Sequence, residues 1–99
     1  MSTRNDSASY WVYILLCANN TYYTGITNNL DKRFKSHVDG SSKCKYTRSF
    51  KPIKISQTWE VSEGKAKALK IERYIKQLSR VEKEIIIAEP LSLQSIFNL

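Results

Sequence analysis

Residues 10–17, Tyr-Trp-Val-Tyr-Ile-Leu-Leu-Cys, are apolar on both faces of an extended chain. Alternation puts Tyr13, Leu15 and Cys17 on one side and Val12, Ile14 and Leu16 on the other. A strand with one wet face would alternate with polar residues, so this segment belongs to a sheet covered on both sides. No other feature constrains the fold as tightly. A chain of 99 residues has room for one modest core, and here that core must wrap a strand from two directions.

A second strand reads over 21–27, with Asn19-Asn20 supplying the turn chemistry of a hairpin. Loop length decides where two tyrosines fall. A strictly two-residue loop pairs residues whose numbers sum to 39 and sends Tyr13 and Tyr23 to opposite faces. An odd-length loop or a bulge returns them to the same face, which is required if both rings serve one site.

Asn28 or Asn29 can cap a helix that runs to Val38 and ends at Gly40. Its buried stripe reads Leu30, Phe34 and Val38, and Arg33 and His37 project together from an adjacent face. Residues 41–51 are polar and basic, with room for a short helical turn. Residues 52–60 read as a third strand. Ser62 then caps a helix from Glu63 to about Ser79, with Ala68, Ile71, Tyr74, Ile75 and Leu78 inward. Residues 82–88 fit either a helix end or a short extended segment. After Pro90, Leu91, Leu93, Ile96, Phe97 and Leu99 are apolar enough to dock on the domain or on a partner. The expected fold is α/β (α+β), a three-stranded mainly antiparallel sheet flanked by helices in the order β-β-α-β-α. A Ser/Asn/Asp-rich N-terminal tail (1–9), one domain (10–88) and a C-terminal tail (89–99) complete the organisation.

Sixteen Lys and Arg against nine Asp and Glu leave a formal charge of +7. That excess favours a polyanionic partner, and nucleic acid is the commonest one. Cys17 and Cys44 form no C-x-x-C metal pair, and Cys17 extends an apolar strand, which predicts a buried free thiol. The polar segment Met1 to Ser9 lacks the apolar stretch of a signal peptide, and no apolar run reaches membrane-spanning length. The expectation is an intracellular protein, cytoplasmic or nucleoid-associated, with no membrane partner.

Tyr13, Tyr23 and Arg33 recur at intervals of ten, with His37 one helical turn beyond Arg33. A guanidinium fork can bind a phosphate and stabilise transition-state charge, while an imidazole can position water or relay a proton. A phenol, ordinarily near pKa 10, can accept a proton if a cation lowers its pKa. Gly25 marks either a strand-end kink or a close backbone approach. Glu72 falls inside the apolar sector of its helix, where a carboxylate must be paired or bound to a cation. It is either a rim ion pair with Arg73 or Lys76, or a ligand for Mg²⁺, which commonly takes only one or two carboxylates. No second carboxylate occupies a comparable place, which argues against two metals. Lys43 to Lys51 interleave cations and aromatics. With Lys32, the side chains of Lys45, Tyr46, Arg48 and Lys51 form a candidate nucleic-acid surface on which a base could stack against Tyr46 or Phe50. A solvated basic loop with one anchored aromatic fits that segment equally well.

On these residues the chain resembles a GIY-YIG nuclease domain over roughly residues 10–88. Trp11-Val12-Tyr13 stands at the first signature tripeptide and Tyr23-Thr24-Gly25 at the second. Arg33, His37 and Glu72 match the family's arginine, its Tyr-or-His position and its metal-binding glutamate. Lys45-Tyr46-Thr47-Arg48, followed by Lys51-Pro52, resembles the small stand-alone bacterial-type members, themselves similar to the catalytic domain of structure-specific repair nucleases. Ile26 replaces a lysine that many members carry, and no Asn follows the glutamate helix before Asn98. The resemblance implies metal-dependent hydrolysis of DNA, single-stranded or branched DNA favoured. One Mg²⁺ or Mn²⁺ would bind Glu72, Tyr13 or Tyr23 would activate water with His37, and Arg33 would hold the phosphate. The alternative is a nucleic-acid-binding module that cuts little, or only with a protein partner. A dimer or partner contact through the C-terminal tail is the third reading.

Overall fold

The computed structural model describes residues 9–41 and 44–99. The expected N-terminal tail (apart from Ser9) and Lys43 lie outside them. Strands β1 (Tyr10–Cys17), β2 (Tyr22–Thr27) and β3 (Pro52–Val61) form an antiparallel sheet in the order β2-β1-β3. The doubly apolar segment is therefore the central strand. Helices α1 (Leu30–Asp39) and α2 (Lys45–Ser49) follow the hairpin, and α3 (Lys65–Lys76), α4 (Arg80–Ala88) and α5 (Pro90–Phe97) follow β3. Among the described residues no helix is long and apolar enough to cross a membrane.

The two faces of β1 belong to two clusters, as its pattern requires. Val12 and Ile14 pack with Trp59, Val61, Ala68, Ile71, Ile75, Ile86 and Leu93. Tyr13, Leu15 and Cys17, the last a buried free thiol, pack with Tyr23, Leu30, Phe34, Tyr46 and Ile55. Strand β3 serves both clusters through a register shift. Tyr13 pairs with Thr58 and Ile14 with Gln57, but Leu15 pairs with Ile55, skipping Ser56. The extra residue turns Ile55 to the face opposite Trp59 although both numbers are odd.

The hairpin loop has three residues. Cys17 N–H bonds to Thr21 O and Asn20 N–H to Cys17 O, both at 2.8 Å. Asn20 is left-handed, with φ 64°, the geometry that closes a three-residue loop. Tyr13 therefore pairs with Gly25 and Leu15 with Tyr23, so Tyr13 and Tyr23 share a face. Arg80, first residue of α4, donates to the Asn20 backbone carbonyl and side-chain oxygen and covers the Tyr22 ring at 4.7 Å. A residue from the far end of the chain thus holds the turn that sets the register.

Several helix boundaries differ from the sequence expectation. The Asn29 side chain caps α1 by accepting from Lys32 N–H at 3.1 Å, and Gly40 (φ 79°) ends it. Its inward stripe, however, is Leu30, Phe34 and His37. Val38 is 41% exposed and His37 0%, because the helix turns its i+3 and i+7 positions toward the sheet. Ser62 caps nothing, since α3 begins only after Gly64 and stops at Lys76. The region 79–88 is a separate helix. Ser79 and Glu82 form a reciprocal capping box, the arrangement that satisfies two helix-end N–H groups at once. The stretch 89–99 is not a free tail. Leu93 is buried in the core, Phe97 meets Tyr74 edge-on at 5.3 Å, and Trp59 Nε1–H donates to Pro90 O at 3.0 Å. The order is thus β-β-α-α-β-α-α-α.

The loop geometry predicts that Asn20→Ala destabilises the chain by about 1–2 kcal/mol, since alanine tolerates the left-handed region poorly. Asn20→Gly should cost clearly less in the same urea titration. Equal losses would contradict this account of the register.

Candidate active site

Tyr13 is the hub of the polar face. Its side chain runs from the central strand onto β2, directly over Gly25. A β-carbon built at Gly25 would lie 2.5 Å from Tyr13 Oη and 2.7 Å from Cζ, distances no real side chain tolerates. Gly25 is therefore needed because the Tyr13 phenol occupies the space above it, neither for a kink nor for a substrate's approach.

Tyr13 Oη lies 3.0 Å from His37 Nε2 and accepts a hydrogen bond from the Arg33 guanidinium. His37 Nδ1 lies 2.7 Å from Thr47 Oγ1, and Thr47 Oγ1 donates to Cys44 O at 3.4 Å. Tyr13, His37 and Thr47 are all buried. Tyr23 packs edge-on against His37 at 5.4 Å and lies 6.5 Å from Tyr13, ring centre to ring centre. The Tyr23 hydroxyl bonds to Cys44. Four of the residues singled out in the sequence, Tyr13, Tyr23, Arg33 and His37, thus meet at one place.

Glu72 approaches from α3, which packs on the opposite face of the sheet. Its side chain is 15% exposed and lies 3.5 Å from Lys76 Nζ, the rim ion pair anticipated for it. Its charge nonetheless acts on Tyr13 Oη. Among the described residues no group of three His, Cys, Asp or Glu could hold a metal ion. A lone half-buried carboxylate fits a hard, heavily hydrated ion such as Mg²⁺ or Mn²⁺, and not a caged Zn²⁺ or Ca²⁺.

The titration behaviour departs from the sequence expectation. Burial pushes the Tyr13 phenol above its ordinary value of 10.0, and the Arg33 hydrogen bond and charge oppose that without prevailing. Tyr23 is also pushed up, chiefly by burial and then by its bond to Cys44. Neither tyrosine is a ready phenolate. His37 is pushed down to about 4, first by burial and then by the Arg33 charge, so it stands neutral at neutral pH. It is not the protonated helix-end histidine that its place near the α1 C-terminus would suggest.

Arg33 Nε is buried without a hydrogen-bond partner. Such orphan donors are rare and call for an explanation. The arginine borders a cavity of about 590 Å³ at the start of α1, lined also by Thr27, Asn28, Asn29, Lys32, Ser36 and Ser41. That lining offers cations, amides and hydroxyls and no carboxylate.

The basic–aromatic segment divides. Lys32, Lys45, Arg48 and Lys51 are exposed, and Lys51 Nζ donates to Val38 O at 3.2 Å. Tyr46 is not an open stacking platform. Its ring stacks on Tyr23 at 6.0 Å and touches Phe50 at 5.3 Å, and its hydroxyl bonds to Thr21 and Asn19. The anchored-aromatic reading describes it better, which leaves Phe50 as the segment's exposed ring. Thr47 is the site residue that sequence reasoning missed. It looked like one more polar position in a basic loop, and nothing in its spacing marked it as buried.

Comparison with known proteins follows the same residues. The GIY-YIG catalytic domain matches residues 9–84. The chain belongs to the GIY-YIG family. It is 40% identical over 84 residues to a UPF0213 protein of Bacillus licheniformis, covering 85% of this chain and 84% of that one. To a UPF0213 protein of Clostridium perfringens it is 45% identical over 78 residues, covering 79% and 82%. The solution NMR structure of a UPF0213 protein from Bacillus halodurans shares the fold, with TM-score 0.51 and 38% identity over 81% of this chain and 83% of that one. These relatives form a small GIY-YIG family, and membership carries a nuclease-type function with DNA as its implied substrate.

Two outcomes follow from the site. Gly25→Ala should cost about 1–3 kcal/mol, the usual range for an overpacked core, and should shift the Tyr13 ring resonances in an NMR spectrum. Unchanged stability and unchanged resonances would contradict the contact. The second concerns pH. Above pH 6.5 the imidazole is neutral in both folded and unfolded chains, and its contribution to stability is complete. As the pH falls from 6.5 to about 4 the unfolded chain takes up a proton that the folded chain refuses, so stability is lost across that window. Urea titrations at about pH 7 and about pH 4.5 should show a loss on the order of 2 kcal/mol larger in the native protein than in His37→Gln. Identical pH dependence would contradict the neutral, buried assignment.

Proposed function

We propose that this chain is a divalent-metal-dependent DNA endonuclease that hydrolyses phosphodiester bonds, with single-stranded or branched DNA favoured. The observation that carries the reading is the convergence on Tyr13 Oη. One oxygen meets the His37 imidazole at 3.0 Å and the Arg33 guanidinium. A purely structural tyrosine needs neither of these partners.

The roles follow from the chemistry of each group. Arg33, which borders the cavity at the start of α1, binds the scissile phosphate and stabilises the charge gathering on it. Because Tyr13 is a neutral phenol, it works as a relay and not as a preformed base. Its oxygen takes a proton from the attacking water while its own proton passes to His37 Nε2, and the water oxygen bonds to phosphorus as the leaving oxygen departs. Burial first, and the Arg33 charge second, hold His37 at low basicity. A bound phosphate offsets that charge, so the imidazole becomes a better acceptor once substrate is present. Tyr23 packs His37 and Tyr13 into place. Glu72 would hold the divalent ion, which when bound neutralises charge on the phosphate and polarises its oxygens. Lys32, Lys45, Arg48 and Lys51 supply the salt-dependent grip on the DNA backbone, and Phe50 offers a surface for an unpaired base.

A binding module without turnover is the second reading, supported by the Lys76 ammonium that already pairs with Glu72. An i,i+4 pair with an exposed lysine is worth only about 0.3–0.5 kcal/mol, which an incoming cation overcomes easily. Under the nuclease reading Lys76→Ala should lower the metal concentration needed for cleavage.

The deciding assay is cleavage of single-stranded, branched and duplex DNA by rigorously purified protein with Mg²⁺ or Mn²⁺. Tyr13→Phe, Arg33→Ala and Glu72→Ala should each reduce kcat by about 100-fold or more, and chelation should abolish turnover. Equal cutting by native protein and variants would mean a contaminant and would end the proposal. Salt-dependent binding with no cleavage under any metal would establish the second reading.

A further inference from the structure

We propose that Thr47 is a positioning residue that fixes His37 in the Nδ1–H tautomer and leaves Nε2 as a bare acceptor facing the Tyr13 hydroxyl. This rests on the proton relay proposed above and adds the residue that sets its direction. Thr47 is 0% exposed, so it touches neither water nor DNA and acts only through the imidazole.

The assignment follows from counting protons at both ends of the chain of contacts. A threonine hydroxyl has one proton to donate. Thr47 Oγ1 gives it to the Cys44 carbonyl at 3.4 Å, and a carbonyl can only accept. The contact of 2.7 Å between Thr47 Oγ1 and His37 Nδ1 admits either ring tautomer by itself, and with the Thr47 proton turned to the Cys44 carbonyl it is donated by Nδ1–H. At the other end, Tyr13 Oη accepts from Arg33, which can only donate. The phenol proton is then free to point at Nε2, 3.0 Å away. Both ring contacts are satisfied by the same tautomer. The opposite tautomer would aim two N–H donors at Tyr13 Oη, leave the phenol proton without an acceptor, and pull the Thr47 proton from the Cys44 carbonyl. In a buried site those losses are expensive.

The anchor is backbone. The Cys44 carbonyl that takes the Thr47 proton also accepts Arg48 N–H at 3.2 Å, closing the first turn of α2. The short helix thereby sets the orientation of a hydroxyl that in turn sets a proton on an imidazole, which is how ring-nitrogen partners ordinarily govern histidine chemistry.

The chain has one histidine, so a long-range ¹H–¹⁵N correlation spectrum reports its tautomer without ambiguity. The native protein should give the Nδ1-protonated pattern. Thr47→Val, which keeps the shape and removes the oxygen, should shift the pattern toward Nε2–H and lower kcat by about 10–100-fold with KM little changed. Thr47→Ser should restore both. An Nε2–H pattern in the native protein, or a native pattern in Thr47→Val, would overturn the proposal. If Thr47→Val fails to fold, the native protein and Thr47→Ser decide, since both must be Nδ1-protonated. The spectrum needs no substrate. A chain that never cleaves DNA would refute the nuclease reading, and the tautomer would still decide the role of Thr47.

Discussion

The placement of the Tyr13 phenol over Gly25 is the contact on which the rest of the site depends. It holds only in one register. Tyr13 and Gly25 are directly paired across the hairpin, and a slip of one residue would put a side chain beneath the phenol and turn Tyr23 to the other face. The three-residue loop and its left-handed Asn20 enforce that register, and Arg80 holds the loop from outside. A glycine, a turn and a distant arginine thereby fix where one hydroxyl points.

That hydroxyl lies in a sheet with two unlike faces. The cluster of Val12, Ile14, Trp59, Ile71, Ile75 and Leu93 is a conventional apolar core, and burial of such side chains supplies most of a small domain's stability. The other face buries Tyr13, His37 and Thr47 together, and is tolerable only because each polar group has a partner. The exception is Arg33 Nε. Among the described residues this is the one buried side-chain donor left without a partner, on an arginine that borders a cation-lined cavity, and it calls for an explanation.

Much of this was legible in the residues. The doubly apolar central strand, the Asn29 cap, the Gly40 stop and the three strands follow from local chemistry that tertiary contacts did not override. Glu72 stood out because a carboxylate in an apolar sector needs a reason. The misses have physical causes. His37 and Val38 compete for one inward position, and a pattern that scores hydrophobicity selects valine. The structure selects histidine because Tyr13 and Thr47 supply both of its hydrogen bonds. Ser62 carried a cap signal two residues before the true start. The Ser79–Glu82 box and Pro90 were present as signals for α4 and α5, yet the isoleucine run between them also suits a strand. Thr47 stood within the Lys45-Tyr46-Thr47-Arg48 run, yet its place in the site was not legible, because a buried hydroxyl that serves another side chain has no periodicity.

The central claim is that Tyr13, His37, Arg33 and Glu72 work on one phosphate with a divalent ion held by Glu72. Paramagnetic broadening by Mn²⁺ added to the ¹⁵N-labelled protein tests it without requiring turnover. The account predicts broadening centred on the Glu72 amide and reaching Tyr13 and Gly25, and its loss in Glu72→Ala. Broadening centred instead on the exposed carboxylates of α4, Glu82 and Glu84, or unaffected by Glu72→Ala, would contradict it.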